Sequence, residues 1–99
     1  MDIRIQSLKF DADQKLLDFI EKKLAKLSRY YDEIQRVEVT LSLLPDYENK
    51  NVKIKVDTPG NDLVVERHST KFEDALVDCT DVLKDILVKY KEKKKDIEH

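Results

Sequence analysis

The sequence predicts an α+β domain of order β-α-β-β-β-α, in which a four-stranded mixed sheet carries two helices on one of its faces. Three observations lead to it. Four short segments carry apolar residues in the alternation of a strand, and two longer ones carry a single apolar stripe at helical spacing. No linker or internal repeat divides the 99 residues, which is the length of one domain.

Residues 3–8 set Ile3 and Ile5 to one side and Arg4 and Gln6 to the other, as a half-buried strand does. Asp11 and Asp13 then offer helix N-caps. Beyond them Leu16, Leu17, Ile20, Leu24, Leu27 and Tyr31 share one stripe, which predicts a helix over about 14–31. The run 36–44 alternates strictly, with Val37, Val39, Leu41 and Leu43 inward and Glu38, Thr40 and Ser42 outward. Residues 52–57 repeat the pattern through Val52, Ile54 and Val56, and the polar stretch before them supplies the turn. Thr58-Pro59-Gly60-Asn61 suits a type II bend, with glycine where φ must be positive, and 63–67 make the fourth strand.

Thr70 and Glu73 stand at the spacing of a capping box. The stripe Phe72, Leu76, Cys79, Leu83, Ile86, Leu87 and Tyr90 makes the last helix, which is expected to run past residue 90 and to fray from about 93. A helix between the first two strands implies that they are parallel, and the short turns imply hairpins for the rest.

Hydrophobic and charged residues each make up 40% of the chain, which is a folded core inside a charged surface rather than a disordered segment. Cys79 is the single cysteine, so no intramolecular disulfide and no multi-cysteine metal site can form, in keeping with a reducing compartment. The N-terminus lacks the basic and apolar runs of a signal peptide, and no stretch reaches the roughly 20 apolar residues of a membrane span. A cytoplasmic protein without a cofactor is expected.

The net charge of −2 argues against the simplest nucleic-acid reading, so the distribution of charge has to decide. At 100° per residue, Lys15, Lys22, Lys26 and Arg29 fall in one band opposite the apolar stripe of the first helix, where a phosphate backbone would meet several cations in register. The same spacing also suits a solvated lysine face supported by pairs such as Asp18 to Lys22. On the last helix Lys84, Lys91 and Lys95 share one flank and Lys89 and Lys93 the other, with Asp74, Asp78, Asp81, Asp85 and Glu92 between them. The C-terminal lysines also suit the negative end of the helix dipole. His68 and His99 have no partners at a catalytic or metal-binding spacing, Cys79 lies on a core stripe, and Gly60 sits in a turn rather than a phosphate loop. Most aromatic residues lie on or beside apolar stripes, Tyr30 and Tyr47 being the rings expected outside.

The order of elements and several strings give the chain a resemblance to a known family. IRIQSLKF with DADQKLLDFIEKKLAKLSRYYDEI, then VEVTLSLL, IKVDTPGNDLVV and KFEDALVDCTDVLKDILVKYKEKKK resemble the short form of the ribosome hibernation-promoting factor, ribosome-associated inhibitor and sigma-54 modulation protein family. The distinctive part is the AKL-x-x-Y-Y-D-x-I string at 25–34. The resemblance implies a fold similar to double-stranded-RNA-binding domains with an added first strand. It implies a non-enzymatic translation inhibitor that binds 16S rRNA in the decoding channel of the small ribosomal subunit and blocks messenger and transfer RNA under stress. By position in their strings, the implied RNA contacts are Lys22, Lys23, Lys26 and Arg29 on the first helix and Lys84, Lys89, Lys91 and Lys93 on the second.

The departures fall on the second helix. Relatives commonly read lysine, arginine, glutamine, leucine, lysine, lysine where this chain has Lys84, Asp85, Ile86, Leu87, Val88 and Lys89. Relatives also often carry tyrosine in the segment aligned with Lys71 to Ala75. An anion in a cation's place repels phosphate, so Asp85 is expected to weaken binding. A divergent paralogue acting as a protein-interaction module is the competing expectation, which exposure of Val82 or Val88 would favour. The long form of the family adds a domain that pairs ribosomes, so a separate pairing factor is the other partner the resemblance implies.

Overall fold

The computed structural model describes residues 1–97, with side chains through Lys93. The elements are β1 (Asp2–Ser7), α1 (Gln14–Ala25), a 3₁₀ turn (Lys26–Arg29), β2 (Arg36–Leu43), β3 (Lys50–Thr58), β4 (Asn61–Ser69) and α2 (Phe72–Ile97). The strands lie in chain order in one sheet, β1 parallel to β2 and the other two pairs antiparallel. This is the expected α+β architecture. Residue Lys95 and the rest of 94–99, on which most of the expected fraying falls, lie outside the described side chains.

The alternation decides which face is buried. Val37, Val39 and Leu41 of β2 and Val52, Ile54 and Val56 of β3 are at most 1% exposed. Against them pack Ile20, Leu24 and Leu27 from the first helical segment and Leu76, Cys79, Leu83 and Leu87 from α2, in one continuous core. The opposite face holds cross-strand polar neighbours such as Glu38 beside Lys55 and Thr40 beside Lys53. Its ion pairs include Arg36 with Asp2 and Glu38, and Lys55 with Asp57 and Asp62.

The ends of the elements show where local chemistry departs from periodicity. Asp13, not Asp11, caps α1, its carboxylate accepting from the Leu16 amide at 2.8 Å. The helix expected through residue 31 gives way to 3₁₀ geometry at Lys26. There the Ser28 hydroxyl donates to the Ala25 carbonyl at 3.0 Å, and Tyr30 bonds back three residues to Leu27. The capping box does not form. The amide of Ala75 bonds to the Lys71 carbonyl, so α2 opens beyond Thr70, and neither Thr70 nor Glu73 makes a side-chain hydrogen bond among the described residues. Leu43, expected inside, is 46% exposed at the last rung of the β2–β3 ladder, opposite Lys50. Lys9 takes a φ of 66°, a left-handed turn that carries the chain from β1 back over the sheet and stacks Phe10 on Phe72 at 5.3 Å. Gly60, with φ of 77°, sits where the type II bend needs it.

These ends and this core can be tested by unfolding. Asp13→Ala should cost about 1 kcal/mol in urea unfolding, whereas Thr70→Ala and Glu73→Ala should stay within about 0.5 kcal/mol. Equal losses at Thr70 and Asp13 would contradict the observed start of α2. Burial pushes the Cys79 thiol up from 9.0 to about 11 in the folded chain. The native state therefore keeps a proton that the unfolded chain releases, and the thiol's contribution to stability is complete below pH 9.0, then lost as pH rises towards about 11. Urea midpoints against pH should show this decline in the wild type and a shallower one in Cys79→Ala.

Candidate nucleic-acid interface

The helices lie side by side, and the flanks they turn towards each other form a groove floored by core side chains. Its central part is a cavity of about 180 Å³ lined by Lys23, Lys26 and Tyr30 on one side and by Thr80, Asp81 and Lys84 on the other. The ammonium of Lys84 stands 5.4 Å from the centre of the Tyr30 ring, a cation–π contact that holds the lysine over the groove. Tyr30 also walls a second hollow of about 330 Å³ with Arg29, Val88, Lys91 and Glu92. Lys23, Lys26 and Lys84 thus border one hollow and Arg29 and Lys91 the next, with Tyr30 as the wall the two share.

The 3₁₀ turn contributes to this alignment. At three residues per turn, side chains three apart eclipse each other, so Arg29 stands directly beyond Lys26 along the axis. Both are exposed.

The other expected contacts are dispersed. Lys15 borders a hollow at the opposite end of the helix layer, beside Phe10 and Phe72. Lys22 is exposed on α1 but is not part of the groove wall. Lys89 borders a third hollow with Lys84, Asp85, Val88 and Glu92, and Lys93 is exposed beyond it. The pair of Asp18 with Lys22 is not formed, because Asp18 accepts from the Gln14 amide at 2.9 Å instead. Tyr47 is the exposed ring at 85%, while Tyr30 is half-buried in the groove, and its position under Lys84 is a feature that spacing within one helix could not reveal.

Electrostatically the two faces differ. Every ion pair among the described residues lies on the sheet or its connecting loops, and involves Arg4, Arg36, Lys55 or His68. None of the nine candidate cations on the helices takes part in one. The carboxylates of Asp74, Asp78, Asp81, Asp85 and Glu92 are exposed along α2, and Asp81, Asp85 and Glu92 line the same hollows as the lysines without contacting them as ion pairs. Among the described residues no group of His, Cys, Asp and Glu could hold a metal ion. His68 contacts Glu48, through its carbonyl at 3.1 Å and its carboxylate at 3.6 Å, on the exposed hairpin end. Cys79 is fully buried.

The fold and this groove define a class: small α+β domains of order β-α-β-β-β-α that present cations from two adjacent helices on one side and an ion-paired sheet on the other. The family model described as "Sigma 54 modulation protein / S30EA ribosomal protein" matches residues 3–95, and the chain belongs to that family. A "Ribosome hibernation promotion factor" of Deinococcus radiodurans is 30% identical over 84 residues, covering 82% of this chain and 44% of the relative. The chain thus spans less than half the length of that relative. A "Ribosome hibernation promoting factor" of Acidithiobacillus ferridurans is 30% identical over 69 residues, covering 69% of this chain and 88% of the relative. The crystal structure of the N-terminal domain of Thermus thermophilus Protein Y superposes with a TM-score of 0.79 at 28% identity, over 91% of this chain and 99% of that one. A ribosomal subunit interface protein from Coxiella burnetii shares the fold with a TM-score of 0.83 at 24% identity, over 93% of this chain and 99% of that one.

Proposed function

We propose that this protein is a ribosome-associated translation inhibitor that binds 16S rRNA in the decoding channel of the small subunit and blocks messenger and transfer RNA during stress. The observation that carries the reading is the groove, in which Lys23, Lys26, Arg29, Lys84 and Lys91 converge from two helices and form no ion pair among the described residues, although Asp81 and Glu92 also line it. Cations at the edges of a groove suit a ribose–phosphate backbone, whose affinity comes from phosphate neutralisation and counter-ion release. The names of the relatives agree with a ribosomal target. Inhibition on this reading is occlusion: the helix layer rests on rRNA phosphates and occupies space that other RNA needs. No bond is made or broken, so the protein needs no catalytic group or cofactor. Its place of work is the cytoplasm, and a separate pairing factor would act on ribosomes already silenced in this way.

The competing reading, a protein-interaction module on the flank of α2, would be favoured by exposed Val82 or Val88. Both are half-buried, and Val88 is part of the groove wall between Arg29 and Lys91. The apolar replacement at position 88 therefore adds packing surface beside the cations rather than a separate patch. Asp85 remains an opposing charge, exposed next to Lys84 and Lys89.

Sedimentation with isolated small subunits at low and moderate salt tests the association directly; absence from the subunit fraction at both salt concentrations would refute it. Replacing Lys26, Arg29 and Lys84 together by alanine should weaken association at least tenfold and flatten its salt dependence, by roughly one unit of log–log slope for each phosphate no longer neutralised. The double variant Lys15→Ala, Lys22→Ala, outside the groove, should have the smaller effect; an equal weakening would move the interface to the outer ridge of α1. Asp85→Arg should strengthen binding and steepen the salt slope, by removing a repulsive charge and adding an attractive one.

A further inference from the structure

To the hollow of about 180 Å³ between the helices, α2 contributes Val77, Thr80, Asp81 and Lys84. Its wall there carries one carboxylate and one ammonium, so the sign that α2 shows to a phosphate depends on where Lys84 points. The lysine has two directions open to it. Besides this hollow it borders another on the flank of its own helix, made with Asp85, Val88, Lys89 and Glu92.

Carboxylates of the same helix compete for the ammonium. Asp81 stands three residues before Lys84, an order and spacing that favour a surface ion pair, and Asp85 follows it directly. Lys84 pairs with neither among the described residues. Its Nζ lies instead 5.4 Å from the centre of the Tyr30 ring. A cation over an aromatic face gains more than one exposed acid–lysine pair within a helix, so the ring prevails. Tyr30 closes the 3₁₀ turn and is half-buried against the core, which fixes the ring and leaves the flexible lysine to follow it. Two other lysines lie over rings, Lys23 over Phe19 within α1 and Lys50 over Phe72 at the start of α2. The contact of Lys84 with Tyr30 is the one that crosses the groove.

We infer that Tyr30 is a positioning residue of this groove: the face of its ring draws the Lys84 ammonium away from Asp81 and Asp85 and holds it where α2 would otherwise present only a carboxylate to a phosphate. The inference rests on the ribosomal reading for the identity of that phosphate. An uncharged residue of one helical segment thus decides the sign of the wall that the other presents. The ring face does this and the hydroxyl takes no part, so phenylalanine can replace tyrosine and an aliphatic side chain cannot.

The test combines a spectroscopic readout on the free chain with binding to small ribosomal subunits. In NMR spectra of the ¹³C-labelled full chain, the ε-methylene protons of Lys84 should lie upfield of those of Lys89, which has no ring contact among the described residues. Tyr30→Leu should abolish that difference and weaken subunit association about three- to fivefold in quantitative sedimentation, and Tyr30→Phe should recover both. Lys84→Met keeps the stem and removes the charge; adding Tyr30→Leu to it should cost less than about 1.5-fold more, because a residue that acts through Lys84 has nothing left to position. Circular dichroism and urea midpoints report the fold of each variant, and Tyr30→Met makes the same comparison should Tyr30→Leu fail to fold. No upfield difference in the wild type, its survival in Tyr30→Leu, no recovery in Tyr30→Phe, or an undiminished loss in the Lys84→Met background would each overturn the inference while a binding wild type upholds the ribosomal reading. Absence of the wild type from the subunit fraction would overturn that reading and the inference with it.

Discussion

The sheet has one apolar face, and the rest of the molecule is arranged by the need to cover it. Val37, Val39, Leu41, Val52, Ile54 and Val56 all point the same way, and no residue among them exceeds 1% exposure. Four strands about 4.8 Å apart span about 14 Å, which matches two helices at an interaxial distance of about 8–10 Å. Both helices therefore share that face, and they must touch along their flanks. The groove is the outer surface of this contact. Its cations stand on positions that are neither core nor fully outward, where a long side chain can lay its stem on the neighbouring helix and keep its charge in water.

A groove between two helices keeps its shape only if the helices cannot slide. Tyr90 restrains one end: its hydroxyl accepts from the Asn61 side-chain amide at 2.7 Å, and its ring meets Tyr31 edge-on at 6.3 Å. One residue of α2 is thereby tied both to the β3–β4 turn and to the segment that follows the 3₁₀ turn. Phe10 on Phe72 restrains the other end, where the left-handed backbone at Lys9 delivers it. Between these aromatic contacts the positions of Lys23, Lys26 and Lys84 are set by packing rather than by ion pairs. Adding salt would weaken their attraction for phosphate without altering the scaffold that presents them.

Strand alternation and helical stripes were legible in the sequence because burial on one face leaves a period that any window of residues reveals. Topology was legible for the same reason, since element order and short turns leave few ways to join the strands. What local patterns could not show depends on competition or on distance. Ser28 gives no periodic sign that its hydroxyl will take the Ala25 carbonyl and tighten the helix. Thr70 and Glu73 have the spacing of a capping box, yet the helix opens beyond Thr70, with Glu73 already in its first turn. Leu43 alternates correctly, yet at the last rung of its ladder it is exposed. For the site, the helical wheel identified cations outside the core on each helix separately. It grouped Lys15 and Lys22 with Lys26 and Arg29 because they share an angular band, whereas the structure groups Lys23, Lys26 and Arg29 with Lys84 and Lys91 because they border the same neighbour. Contact between elements is not encoded in the period of either.

The same separation explains how a chain with a net charge of −2 can present a cationic surface. Net charge governs the field at distances beyond a Debye length, about 8–10 Å at ordinary salt, whereas a phosphate in the groove is within a few ångströms of several cations. What matters at that range is which charges are spent internally. On the sheet, Arg4, Arg36 and Lys55 are paired with carboxylates, and Lys53 is the exposed cation of that face with no ion pair among the described residues. On the helices most acids lie along the exposed side of α2, with Asp81 and Glu92 at the edge of the groove, and at the N-terminal ends of the helices, where Glu73 and Asp74 also complement the dipole of α2. Among the described residues the groove lysines form no ion pair, and Lys23 and Lys84 lie against aromatic rings. On the proposed reading the acidic balance acts as a filter rather than an obstacle: long-range attraction to any polyanion is small, and a bound backbone would have to enter the groove while staying clear of Asp81 and Asp85.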